Sequence, residues 1–150
     1  KAAHVLEQVR SQGLNGIIVG ADTIVVLQGR MLGKPGSEEE AKAMLRALQG
    51  NKHEVHTGIA CLDADSGKLK AASRKTTVWM KPLTEQQISA YVASGEPMDK
   101  AGAYGIQGLG SVLIERIDGD YFNVVGLSLF LLSELLSQFG IEALNAAYKC

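Results

Sequence analysis

No stretch of this chain approaches the roughly 20 apolar residues that a helix needs to cross a bilayer, and no signal-peptide pattern is visible. A membrane partner is not expected. A basic stripe is also missing: 15 Lys and Arg stand against 16 Asp and Glu, a net charge of −1. A general nucleic-acid binder would need such a stripe, so nucleic acid is not an expected partner either. Cysteine is scarce. Cys61 and Cys150 are the two present, and they lie far apart. That fits a reducing cytoplasm better than a disulfide scaffold. Internal repeats, low-complexity segments and linkers are absent as well. What remains is 150 residues, 46% of them hydrophobic, long enough for one domain with a real core.

Periodicity predicts alternating helices and strands. Residues 1–11 place Ala2, Val5, Leu6 and Val9 on one helical face. Ser37-Glu-Glu-Glu40 reads as a capping box that opens a helix with Ala41, Met44, Leu45 and Leu48 inward, stopped by Gly50. His53 to Leu62 and Lys68 to Met80 read as two strands joined by a turn over Asp63-Ala-Asp-Ser-Gly67. Thr84-Glu-Gln-Gln87 opens another capped helix, ended by Gly95. Ser111 to Ile117 and Tyr121 to Val125 flank Asp118-Gly119 as an expected hairpin, and Leu127 to Phe139 as an amphipathic helix. The fold class expected is α/β, a mixed sheet flanked by helices.

Three segments carry polar groups in settings that suggest chemistry. In Ala101-Gly-Ala-Tyr-Gly-Ile-Gln-Gly-Leu-Gly110 there are four glycines around Gln107. Such density suits a tight turn, or a loop that brings backbone close to a ligand. A glutamine held there carries both donor and acceptor, as reading a base edge requires. In Gly16-Ile-Ile-Val-Gly-Ala-Asp-Thr-Ile-Val-Val-Leu27, an acid stands between two β-branched runs, as though one strand delivers Asp22 and a second leaves the site. Asp22 is there as an Asx-type turn or as a functional carboxylate. Lys34, pinned by Gly33 and Pro35, is a solvated surface lysine or a point charge for phosphate.

Other features read more simply as structure. His53 and His56 are three apart, which on a strand sends them to opposite faces. Glu38-Glu39-Glu40 suits the first turn of a helix rather than a metal. The Leu127 to Leu136 stripe reads as core and Trp79 as packing, while Tyr121 could border a pocket.

Taken together the chain resembles the Maf family of nucleoside triphosphate pyrophosphatases. The residues that carry the resemblance are Gly20-Ala-Asp-Thr-Ile-Val25, Gly33-Lys-Pro35, Leu48-Gln-Gly50, Thr57-Gly58, Tyr91-Val-Ala-Ser-Gly-Glu-Pro-Met-Asp-Lys-Ala-Gly-Ala-Tyr-Gly-Ile-Gln-Gly-Leu-Gly110, and Gly119-Asp-Tyr-Phe-Asn-Val-Val-Gly126. It runs over residues 1–140 and leaves 141–150 as a tail. Asp22-Thr23 and Tyr104-Gly105-Ile106-Gln107 sort it with members similar to dTTP and UTP pyrophosphatases, rather than with a sister group acting on methylated guanine nucleotides.

The resemblance implies a fold like that of Maf and inosine triphosphatase, with a central cleft. It implies release of a nucleoside monophosphate and pyrophosphate from dTTP, UTP or modified pyrimidine triphosphates, with no covalent intermediate. Asp22 matches the family's proton acceptor, and Mg²⁺ or Mn²⁺ would be expected on the same carboxylate. Thr23 and Gln107 match positions linked to base specificity, and Lys34 matches the phosphate-site lysine. Lys1 matches a further lysine in a Lys-Ala helix block, and Asp99 and Lys100 lie in a strongly matching block on the substrate side. The family's Ser-x-Ser-Pro-Arg-Arg segment does not occur in these 150 residues, so the domain is expected to be N-terminally incomplete. Two other classes stay open at this stage. One is a nucleotide-binding module without turnover; the other is an interaction protein, such as a homodimer, with a vestigial cleft.

Overall fold

The computed structural model describes residues 1–144. Helix α1 (Ala2–Ser11) leads into strand β1 (Ile17–Leu27), which turns at Gln28-Gly29 into the short β2 (Arg30–Leu32). Both turn residues have positive φ, 50° and 79°, the geometry that suits a two-residue hairpin. Helix α2 (Glu38–Leu48), β3 (Lys52–Asp63), β4 (Leu69–Met80) and α3 (Glu85–Ala93) follow. Three short 3₁₀ turns then span the glycine-rich loop, before β5 (Ile114–Asp118), α4 (Tyr121–Val125) and α5 (Leu129–Ser137).

The five strands form one sheet in the order β2-β1-β3-β4-β5. Helices flank it as expected, but every ladder is antiparallel where a mixed sheet was anticipated. The register supplies the reason. Val26 at the end of β1 pairs with Glu54 near the start of β3, and Met80 at the end of β4 pairs with Ile114 at the start of β5. Each connection returns the chain to the end where the previous strand stopped, so the next strand must run back.

Local signals account for most elements. Ser37 accepts from the Glu40 amide at 3.2 Å, while the Glu40 carboxylate reaches the Gly36 amide at 2.7 Å. Thr84 and Gln87 form a reciprocal capping box. Ala41, Leu45 and Leu48 point inward from α2 and are fully buried, each leucine contributing about 2 kcal/mol.

On β3, His53, Val55, Thr57, Ile59 and Cys61 alternate onto one buried face. Two apolar clusters share that face. The larger gathers Val25, Val55, Val78 and Met80 under α2 and α3, and the smaller gathers Ile59 and Cys61 under α5. Between them sits a polar plug described below.

Two other expectations fail. Tyr121–Val125 is not the second arm of a hairpin but a helix. The Asp120 carboxylate accepts from the amides of Phe122 and Asn123, and so caps a turn of helix where a strand was read. Asp22 is not at a strand end; β1 runs through it without a break. The tail expected over 141–150 lies outside the described residues from 145 onward, Cys150 included. Among the described residues, no helix is long and apolar enough to cross a membrane.

Candidate active site

Strand β2 pairs only with Val25, Val26 and Leu27 of β1. The Ala21–Thr23 stretch is therefore an edge on that side, while its other side pairs with β3. A cleft of about 330 Å³ opens there, within the usual size of a small-molecule site. Its lining includes Asp22, Thr23, Lys34, Asp99, Lys100 and Gln107, over an apolar floor of Val25, Val55 and Tyr104. Six of the seven residues singled out from the sequence meet in this one place. The seventh, Lys1, reaches the same carboxylate from the neighbouring groove, of which Asp22 is also a wall. Tyr121 is exposed and lies outside the cleft lining.

Asp22 is far from buried. Its side chain keeps 73% of its exposure, and Gly58 opposite it in β3 adds no side chain to crowd it. The Lys1 ammonium donates to its Oδ1 at 2.7 Å. That hydrogen bond and the ammonium charge hold the carboxyl below the usual carboxylate range, and Lys34 adds to the effect. Asp99 is held down in the same way, by Lys100 at 2.6 Å first and by Lys34 more weakly. Lys34 thus faces both acids. Its turn is fixed by the Gly102 amide, which donates to the Gly33 carbonyl at 3.0 Å and ties the two halves of the cleft together.

Thr23 points to the other face of β1 from Asp22. Its hydroxyl lies 2.8 Å from that of Thr57, the residue paired with it on β3. Thr57 in turn donates to the Asn123 carbonyl at 2.9 Å. The Asn123 side-chain amide donates to the Val55 carbonyl and to the Thr76 hydroxyl, each at 3.0 Å. These residues form the plug between the two clusters, and they fasten α4 to the sheet behind the cleft.

Gln107 is presented by a loop that Glu96 holds. The Glu96 carboxylate accepts from the amides of Leu109 and Gly110, at 2.8 and 2.9 Å, and from the Tyr91 hydroxyl at 2.9 Å. Burial opposes its ionisation, but those amides outweigh it and keep the carboxyl below the usual range. This packing explains the glycines. Gly108 has φ +65°, with Glu96 where a side chain would go, and a Cβ on Gly110 would collide with the Gly105 carbonyl. Burial pushes the Tyr91 hydroxyl up, so it stays a donor.

Sequence reasoning missed Glu96 as a positioning group, although it falls inside a block quoted for the resemblance. It also gave Thr57 no role, because its partners depend on strand register and on a helix that was read as a strand. His53 and His56 do lie on opposite faces of β3. His53 is buried with Nε2 2.6 Å from the Tyr104 hydroxyl, and His56 pairs with Glu54 at 2.9 Å. Trp79 is half-buried, with the Arg116 guanidinium 3.9 Å from its ring centroid.

The chain is similar to several curated proteins. The dTTP/UTP pyrophosphatase of Methanosarcina barkeri is 50% identical over 128 residues, covering 85% of this chain and 65% of that protein. That of Pelotomaculum thermopropionicum is 52% identical over 130 residues, covering 87% and 68%. That of Desulforamulus reducens is 49% identical over 142 residues, covering 95% and 73%. The chain spans from 65% to 73% of the length of these three curated relatives. The Maf-like protein family matches residues 1–139, which takes in both strands, both loops and the helix that build the cleft, and the chain belongs to that family.

Proposed function

We propose that the cleft hydrolyses pyrimidine nucleoside triphosphates, dTTP and UTP including modified forms, to the monophosphate and pyrophosphate. The observation that carries this reading is the convergence on one cleft of an ionised acid, two lysines and a glutamine. It is supported by relatives at about half identity that are named dTTP/UTP pyrophosphatase. The apolar floor of Val25, Val55 and Tyr104 suits the faces of a base and sugar, and Gln107 and Thr23 suit its polar edge. Lys34 and Lys100 on the rim, with Lys1 beside Asp22, offer positive charge to the phosphates. Asp22 would take the proton of the attacking water as the bond between the α and β phosphates breaks. Such chemistry belongs in the cytoplasm, where triphosphates are held and a thiol such as Cys61 stays reduced.

A divalent ion fits the donors present. Asp22 and Asp99 offer exposed, ionised oxygens, the type of ligand that Mg²⁺ or Mn²⁺ prefers. Among the described residues, no three His, Cys, Asp or Glu side chains converge, so the protein would supply few ligands and the phosphates the rest. Bound there, the ion would neutralise charge on the phosphate oxygens.

Asp22→Asn tests the reading. Turnover of UTP is expected to fall at least about 100-fold, with binding of a non-hydrolysable UTP analogue kept. Turnover at the wild-type rate in that variant would show that Asp22 is not the base.

A further inference from the structure

We propose that Thr57, buried beyond reach of any ligand in the cleft, sets which pyrimidine the cleft accepts by fixing the direction of the Thr23 hydroxyl. The inference rests on the nucleotide reading above.

Thr57 Oγ1 and the Asn123 carbonyl oxygen are 2.9 Å apart, and a carbonyl has no proton to give. The single hydroxyl proton of Thr57 must therefore lie between them; otherwise two lone pairs would face each other in a fully buried site. With that proton committed, Thr57 can only accept from Thr23 at 2.8 Å. The proton of Thr23 is then committed as well, and its hydroxyl shows the cleft lone pairs only.

The far end of this chain cannot turn around. Asn123 is fully buried, its side-chain amide is held by Val55 and Thr76, and its backbone is held at the capped start of α4. A hydroxyl that donates is also the better acceptor. Thr23 thus asks for an N–H at the base edge set against it.

Uracil and thymine carry N–H at N3, whereas cytosine carries a lone pair there. With N3 of the base set against Thr23, cytosine would bury two lone pairs against each other. Gln107 does not make this distinction by itself. Its terminal amide has a donor on one side and an acceptor on the other, and by turning over it serves either base. The discrimination therefore falls to the hydroxyl that cannot turn, and the residue that prevents it from turning is Thr57.

The test compares dissociation constants for the α,β-imido analogues of UTP and CTP, measured by calorimetry on the full chain without a divalent ion. Wild type is expected to hold the uridine analogue at least about tenfold more tightly. Thr57→Val frees the Thr23 proton and should bring the two affinities to within about twofold of each other. The Asn123 carbonyl keeps the Gly126 amide at 3.2 Å in that variant. Thr57→Ser should restore the preference, and Thr57→Val should change nothing further in a Thr23→Val background. Thr57→Cys keeps the volume but bonds weakly, and it replaces Thr57→Val if that variant does not fold.

A preference unchanged in Thr57→Val, or lost equally in Thr57→Ser, overturns the relay. So does a wild type that binds both analogues alike, although pyrophosphate release would then leave the functional reading standing. Absence of both binding and release would remove the functional reading and the relay with it.

Discussion

Asp22 and Thr23 are adjacent, yet strand geometry gives them opposite faces and opposite tasks: one stays exposed and ionised, the other is wired into the plug. Asp22 was legible in the sequence because an acid between β-branched runs is out of place in a plain strand, whereas Thr23, a good strand former, was marked only by the family resemblance. Their partners were not legible, because Thr57 and Lys1 meet them only through register and tertiary packing. Gln107→Ala is expected to flatten relative rates across nucleotides more than it slows the best one, as parallel initial-rate assays would show; unchanged ratios would remove Gln107 from base reading. His53 makes a separate prediction about stability. Burial pushes its pKa from the ordinary 6.5 down to about 4, so the unfolded chain binds a proton that the folded one refuses. The folded state is therefore fully favoured above pH 6.5 and loses stability as pH falls from 6.5 toward 4, on the order of 1 kcal/mol per unit within that window. Urea unfolding at pH 7 and pH 5 should show the loss, and His53→Leu should reduce it. An equal loss in that variant would assign it to other groups.

Capped helices α2 and α3 were readable because Ser37 with Glu40, and Thr84 with Gln87, act within one turn of chain. Helix α4 was misread for the same local reason in reverse: Asp118-Gly119 has the composition of a hairpin turn, and nothing nearby shows that Asp120 caps a helix instead. The glycine-rich loop was recognised as unusual, but what shapes it lies outside it, in Glu96 and Tyr91. Glu96→Ala should leave the amides of Leu109 and Gly110 without a partner, at a cost of about 2 kcal/mol in urea unfolding, and should weaken binding of the UTP analogue. Stability and affinity both at the wild-type level would mean that the loop holds itself. Gly110→Ala is expected to be harsher, since its Cβ would meet backbone rather than a flexible side chain. A thermal melt matching wild type would contradict that packing.

The cleft exists because β2 is short. Three residues of pairing cover Val25–Leu27 and stop, leaving the edge of β1 open where Asp22 and Thr23 stand, Thr23 on the face that carries the two apolar clusters and Asp22 on the other. The α/β class and the flanking helices followed from periodicity, which reports which face of an element is apolar. The all-antiparallel order did not, because it depends on where each connection returns the chain. The convergence of Asp22, Thr23, Lys34, Asp99, Lys100 and Gln107 on one cleft was legible only through the family resemblance, since no local pattern brings residues 22 and 107 together. Pyrophosphate release by this chain from dTTP, UTP, CTP, GTP and ATP, with Mg²⁺ or Mn²⁺, decides whether the cleft is a pyrimidine triphosphate pyrophosphatase. Selective release from dTTP and UTP is the result expected. A folded chain that binds these nucleotides but releases no pyrophosphate from any of them would contradict it.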